Sequence, residues 1–137
     1  MQKSIKKYFL TAFICSNFSV NAAPLNEKNY AEIVLAYEQN QALFEIKFQG
    51  KQFRSVAEYQ TMSKWDGASP EYYVYAKIDG GWVQCVIEKP NKNQLRDLAE
   101  LKEGEILSIS GSIFLISGDN RIKFLALTPC RYSRVKR

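Results

Sequence analysis

The chain has 137 residues, 46% apolar and 24% charged, the make-up of one globular domain and not of a disordered or collagen-like polymer. Its net charge of +5 sits at the two ends, because residues 23–129 hold 12 basic against 14 acidic residues. Histidine is absent, which excludes Ser–His and Cys–His nucleophile pairs and imidazole metal sites.

Residues 1–22 follow the order of a secretory signal peptide. A basic start with Lys3, Lys6 and Lys7 precedes an apolar stretch centred on Phe9, Leu10, Ala12, Phe13 and Ile14, and Val20-Asn21-Ala22 offers a cleavage site. The apolar stretch falls short of the ~20 residues that span a bilayer. The alternative is a first amphipathic helix kept in the mature protein. Cys15 follows the bulky Ile14, which argues against lipid attachment. Cleavage after Ala22 leaves 16 basic against 14 acidic residues, and Cys85 and Cys130 as the remaining cysteines. Two cysteines in an exported chain predict one disulfide. Two buried free thiols are the alternative if the chain is not exported. A metal site is not expected from two cysteines without histidine.

Asn26 can cap a helix, and Tyr30, Ile33, Val34 and Tyr37 then recur at helical spacing. Ala42, Leu43 and Ile46 continue the apolar face up to Gly50, so the spacing predicts one helix, or two broken near Asn40, over residues 27–48. Strands are predicted at 51–62, 71–78, 82–88, 105–116 and 121–130. Residues 63–70 form a polar loop around Trp65, Asp66 and Gly67, and Asp79-Gly80-Gly81 suits a tight hairpin turn. After Pro90, Asn91 or Asn93 can cap a short helix carrying Leu95, Leu98 and Leu101. Gly111 marks a bulge or a barrel bend. Five strands with a helix between the third and fourth is the order of an OB-fold barrel, here with an added N-terminal helix. An α+β roll is the alternative. The expected division is a signal peptide at 1–22, a mainly β OB-fold domain at 23–132 and a basic tail at 133–137.

Several stretches resemble one family. Asn40…Ala42…Phe48-Gln49-Gly50-Lys51 resembles its entry into the first strand, and Val83-Gln84-Cys85-Val86-Ile87 its third. Leu98…Leu101-Lys102-Glu103-Gly104-Glu105-Ile106…Ile109-Ser110-Gly111 and the closing Leu127…Cys130 resemble its later elements. The family is the small bacterial OB-fold group of tRNA anticodon-binding-like (tRNA_anti-like) domains, and the resemblance covers residues 27–132. Ala57 stands where the family usually has glycine, Phe48 replaces tyrosine and Glu105 replaces aspartate. The resemblance implies the barrel more than any activity. It also implies that the third and fifth strands are neighbours, which would bring Cys85 and Cys130 together.

In the second strand Val74, Ala76 and Ile78 share one face, and Tyr73, Tyr75 and Lys77 share the other. In the third, Val83, Cys85 and Ile87 oppose Trp82, Gln84 and Val86. The first set of each reads as core, which leaves Tyr73, Tyr75, Lys77, Trp82 and Gln84 facing outward. That face is the common ligand platform of OB barrels. Aromatic rings there can stack on bases or sugars, or anchor a protein. The alternative is cross-strand aromatic pairing, or packing under the N-terminal helix. Trp65 and Arg54 are expected at the edge of the face. Around it Arg54, Lys64, Lys77 and Lys89 are countered by Glu58, Glu71 and Glu88, a mixed field unlike the positive groove of a nucleic-acid binder. The basic residues 131–137 read as a solvated end. The sequence has no glycine-rich phosphate cradle, zinc spacing or convincing carboxylate pair, so an enzyme or a cofactor is not expected. The expected function is a periplasmic or secreted binding module that engages an envelope protein through Tyr73, Tyr75, Lys77 and Trp82. The alternatives are single-stranded nucleic acid or an oligosaccharide on the same face, or a structural role in an envelope assembly.

Overall fold

The computed structural model describes residues 23–136. The expected signal peptide, with Cys15, lies outside the described residues. Asn26 begins the helical segment by a reciprocal cap. Its side chain accepts the Lys28 N–H at 2.9 Å, and its own N–H donates to Asn29 Oδ1 at 3.0 Å. A single 3₁₀ turn, Glu27–Asn29, leads into α1 (Tyr30–Gln39). Asn40 is extended, so it ends α1, and its side chain caps α2 (Gln41–Lys47) by accepting the Leu43 N–H at 3.1 Å. The break expected near Asn40 thus has a local cause. Gly50, at φ +84°, turns the chain into the first strand.

Five strands follow: β1 (Gln52–Trp65), β2 (Glu71–Ile78), β3 (Gly81–Glu88), β4 (Ile106–Gly118) and β5 (Lys123–Arg134). A short helix α3 (Lys92–Ala99) lies between β3 and β4, capped by Asn91. The strands close into a barrel in the order β1-β2-β3-β5-β4. With the helix between β3 and β4, this is the OB-fold arrangement. All pairings are antiparallel except β3 with β5, which run parallel over Val83–Cys85 and Leu125–Leu127. A register shift between Tyr59 and Thr61 lets β1 pair first with β4 and then with β2. Leu25 adds a single parallel bridge at Phe53.

Alternation places Phe53, Ala57, Tyr59, Val74, Ala76, Val83, Cys85, Leu107, Ile109, Leu125 and Leu127 in one buried cluster. Both ends of the barrel are closed. At one end Tyr30, Ile33 and Ala36 of α1 join the core, and the Tyr30 hydroxyl donates to the Lys123 carbonyl at 2.7 Å. The Tyr30 ring lies so close to Gly81 that a Cβ there would sit 2.2 Å from it. At the other end Leu98 of α3 joins the core. Cys85 and Cys130 are joined by a disulfide across β3 and β5, with Cα atoms 5.4 Å apart.

Several boundaries differ from expectation. β1 runs on to Trp65, and the tight turn is Asp79-Gly80, with Gly81 already in β3. The basic tail expected at 133–137 begins inside β5, which extends to Arg134. The cause is a polar cluster. The Arg134 guanidinium bonds the Asp97 carboxylate at 3.1 Å, the Asp97 carbonyl at 3.0 Å, and Glu105. The Tyr132 hydroxyl donates to the same Asp97 carboxylate. These bonds fasten the end of β5 to α3, so Arg134 is a structural cation rather than part of a solvated end.

Candidate functional site

The β2–β3 register sets Tyr73 opposite Val86, Tyr75 opposite Gln84 and Lys77 opposite Trp82. All six belong to the outward set, as alternation expects. On the next strand Phe124 lies beside them: its ring centroid is 4.9 Å from that of Tyr75 and 5.9 Å from that of Trp82, both edge-on. Hydrogen bonds tie the polar groups across four strands. Ser117 donates to Gln84 Oε1 at 3.0 Å, Gln84 Nε2 donates to the Tyr75 hydroxyl at 3.2 Å, and Ser63 reaches the same hydroxyl at 3.4 Å. Tyr75, Trp82 and Gln84 are therefore half-buried and held in place, while Lys77 is exposed.

Toward the start of β2 the face deepens into a groove of about 400 Å³. Val86 and Ala126 form its floor. They point away from the barrel axis and lie outside the main core cluster, yet only 7% and 2% of their surfaces are exposed. Tyr73, Gln84, Phe114, Leu115 and Thr128 form the sides. Phe114 is 48% exposed, a large ring only half covered. Glu71 and Glu88 complete the groove and face each other directly across β2 and β3. The Tyr73 hydroxyl donates to Glu71 Oε1 at 3.0 Å. Burial and then this bond to a carboxylate hold the Tyr73 hydroxyl above its ordinary pKa of 10.0.

No protein-family model matches the chain, and no curated protein does. Among solved structures the chain is similar to a "putative nucleic acid-binding lipoprotein" from Klebsiella pneumoniae subsp. pneumoniae, at 13% identity and a TM-score of 0.54. The match covers 86% of this chain and 97% of that one. At that identity the shared feature is the fold.

The other end of the face is cationic. Lys77, Trp82, Arg121, Ile122 and Lys123 line a cleft of about 460 Å³ between the β2–β3 and β4–β5 turns. Lys123 is partly neutralised by Glu38 of α1 at 3.5 Å, and Arg121 by Asp119 at 3.5 Å. Backbone N–H bonds from Ile122 and Arg121 hold the Asp119 carboxyl below its ordinary pKa.

The structure brings Tyr73, Tyr75, Lys77 and Trp82 onto one surface. Trp65 ends β1 opposite Glu71, with 51% of its surface exposed and its ring lying over Gly67. Arg54 is elsewhere. It lies on the half of β1 that pairs with β4, in a separate pocket with Asn26, Glu27, Val56 and Asp79. The reach of β1 explains this: Arg54 precedes the bend at Gln60, and the aromatic face is beside the stretch that follows it. Phe124, Ala126, Phe114 and Leu115 were missed because they enter through β5 and β4. The resemblance to an OB barrel held the signal, since a fifth strand beside the third puts Phe124 next to Trp82.

A second cluster of titratable groups lies around Tyr132, Asp97, Glu105 and Arg134. Burial and the bond to Asp97 push the Tyr132 hydroxyl well above its ordinary pKa. Among the described residues no group of three or more Cys, Asp or Glu is placed to hold a metal ion. No helix among them is long and apolar enough to cross a membrane.

Proposed function

We propose that this protein is an exported, non-catalytic OB-fold module that binds a protein partner in the bacterial envelope through the outward face of β2, β3 and β5. The observation that carries the reading is the groove floor. Val86 and Ala126 are shielded from water outside the barrel core, beside a half-exposed Phe114 and a fixed set of aromatic rings. Interface centres combine these features: a dry apolar floor, rigid aromatic anchors and a polar surround. The groups on the face are phenols, an indole, an amide, an ammonium and carboxylates, which suit recognition. Export rests on the signal-like order of residues 1–22, and the disulfide suits an oxidising compartment. Membership of the tRNA anticodon-binding-like group is part of the same proposal, supported by the barrel order.

The test is photocrosslinking in intact bacteria that carry the gene. A benzophenone amino acid replaces Phe114 in one strain and Val56 in another. Val56 is 60% exposed and lies on the β4-paired half of β1, away from the groove. A discrete protein adduct from position 114 and none from 56 is the expected result. No adduct from 114, or the same adducts from both, would refute the reading. The intact mass of the recovered protein tests export separately, through loss of the first 22 residues.

Single-stranded nucleic acid is the second reading. The cleft where Lys77 and Arg121 adjoin Trp82 favours it, as does the printed name of the Klebsiella neighbour. It predicts a quench of tryptophan fluorescence by oligothymidylate that weakens steeply with salt.

A further inference from the structure

We propose that the groove between β2, β3, β5 and β4 is a receptor for one lysine or arginine side chain of an extended, otherwise apolar partner segment, with Glu71 and Glu88 receiving its charge. This rests on reading the face as a protein-binding surface and names the chemistry of what binds there.

Two features meet in the same place. The first is the apolar trough. Val86 and Ala126 give an apolar floor with little exposed surface, and the Tyr73 and Phe114 rings flank it. At about 400 Å³ it has room for one long side chain. The second is the pair of carboxylates at the groove. Glu71 and Glu88 are register partners, an arrangement of like charges that destabilises a sheet unless a cation joins them. Among the described residues neither makes an ion pair. Tyr73 bonds one oxygen of Glu71 and leaves Oε2 without that partner. Lys64, which pairs in register with Tyr72, is engaged by Asp66 at 2.9 Å.

A long cationic side chain satisfies both features at once. Its methylene stem lies along apolar surface while its head reaches the carboxylates. Charge-assisted bonds to two carboxylates are stronger than neutral ones and fix the position of the chain that carries them. The same pair disfavours a polyanion, because phosphates laid along the groove would meet two like charges. The charge complementarity therefore selects a basic protein segment over a nucleic-acid strand.

The test uses the purified protein with its disulfide intact and two acetylated, amidated hexapeptides, KVLRVF and QVLQVF. Binding is followed by amide NMR shifts. The expected result is that KVLRVF moves the amides of Tyr73, Val86 and Phe114, and that Glu71→Gln with Glu88→Gln weakens it about tenfold. The double variant keeps side-chain shape and an acceptor for Tyr73, so it should fold. QVLQVF should bind weakly, and equally to both proteins. Equal binding of the two peptides, or no effect of the double variant, would overturn the cation receptor. So would an absence of shifts at millimolar peptide. So would oligothymidylate moving the same amides more strongly than KVLRVF. The Phe114 crosslink separates these failures: an adduct that persists leaves the protein-binding face standing, and its loss removes both.

Discussion

Between β3 and β5 the barrel closes on three parallel residue pairs, Val83–Leu125, Gln84–Ala126 and Cys85–Leu127, whereas the antiparallel seams are longer. The Cys85–Cys130 bond sits at the end of this short seam. Removing it should therefore act on the seam with the shortest ladder. The cysteines are 45 residues apart, and closing a loop of that length in the unfolded chain corresponds to about 4 kcal/mol on the chain-entropy account. That is a large part of the roughly 5–15 kcal/mol that holds a domain of this size together. With an unfolding entropy of about 2 cal/mol/K per residue, the melting temperature should fall by roughly 15 °C. The assay is calorimetry of the oxidised protein, the protein under a phosphine reductant, and the Cys85→Ala, Cys130→Ala double variant. Amide exchange at Val83–Cys85 should accelerate more than exchange in the β1–β2 hairpin. A fall of less than about 5 °C in both reduced and variant forms would refute the reasoning. It would mean that the unfolded chain is already restricted, or that the three pairs close the barrel unaided.

Other perturbations probe the face and the core. Tyr75→Ala with Trp82→Ala should cost about 2–3 kcal/mol in urea unfolding, because both rings pack on Phe124; an unchanged midpoint would show that the stack holds nothing. Phe114→Ser, on a half-exposed ring outside that stack, should cost under about 1 kcal/mol. Gly111→Ala should destabilise by about 1–3 kcal/mol, since the new Cβ would lie 2.7 Å from the Pro129 carbonyl oxygen and 2.8 Å from Leu127 Cβ; wild-type stability would show that β5 can yield there. Tyr132 has a raised pKa in the folded state, so its contribution is fully present below pH 10 and is lost as pH climbs toward the folded value. Urea midpoints from pH 8 to 11 should fall above pH 10, and less steeply in Tyr132→Phe.

Local signals were legible wherever one residue sets one feature. Asn40 and Asn91 each carry the acceptor that starts a helix, and the pairs Val74/Tyr75 and Cys85/Gln84 divide inside from outside by simple alternation. The composition of the outward face was legible only in part, because half of it arrives from β4 and β5. Phe124 and Trp82 are 42 residues apart in the chain and meet only through the parallel seam. Register shifts in β4 lie on either side of Ile113, and the period-two alternation that buries Leu107, Ile109, Gly111 and Ile113 breaks after it, which re-aims the stretch that holds Phe114. Arg134 was misplaced for a related reason. Its partners Asp97 and Glu105 lie in other elements, so a basic residue near the finish reads as solvated until α3 is seen beside it.

The two stoppers of the barrel, Tyr30 with Ile33 at one end and Leu98 at the other, have a consequence for selectivity. With the interior filled, the proposed binding face is an open outer wall. Such a wall sorts guests by the order of their side chains and the sign of their charge, but not by total length. A long polymer can lay an internal stretch across it sideways, with no free end to thread. A partner bound as proposed would therefore remain part of a larger assembly while it is held.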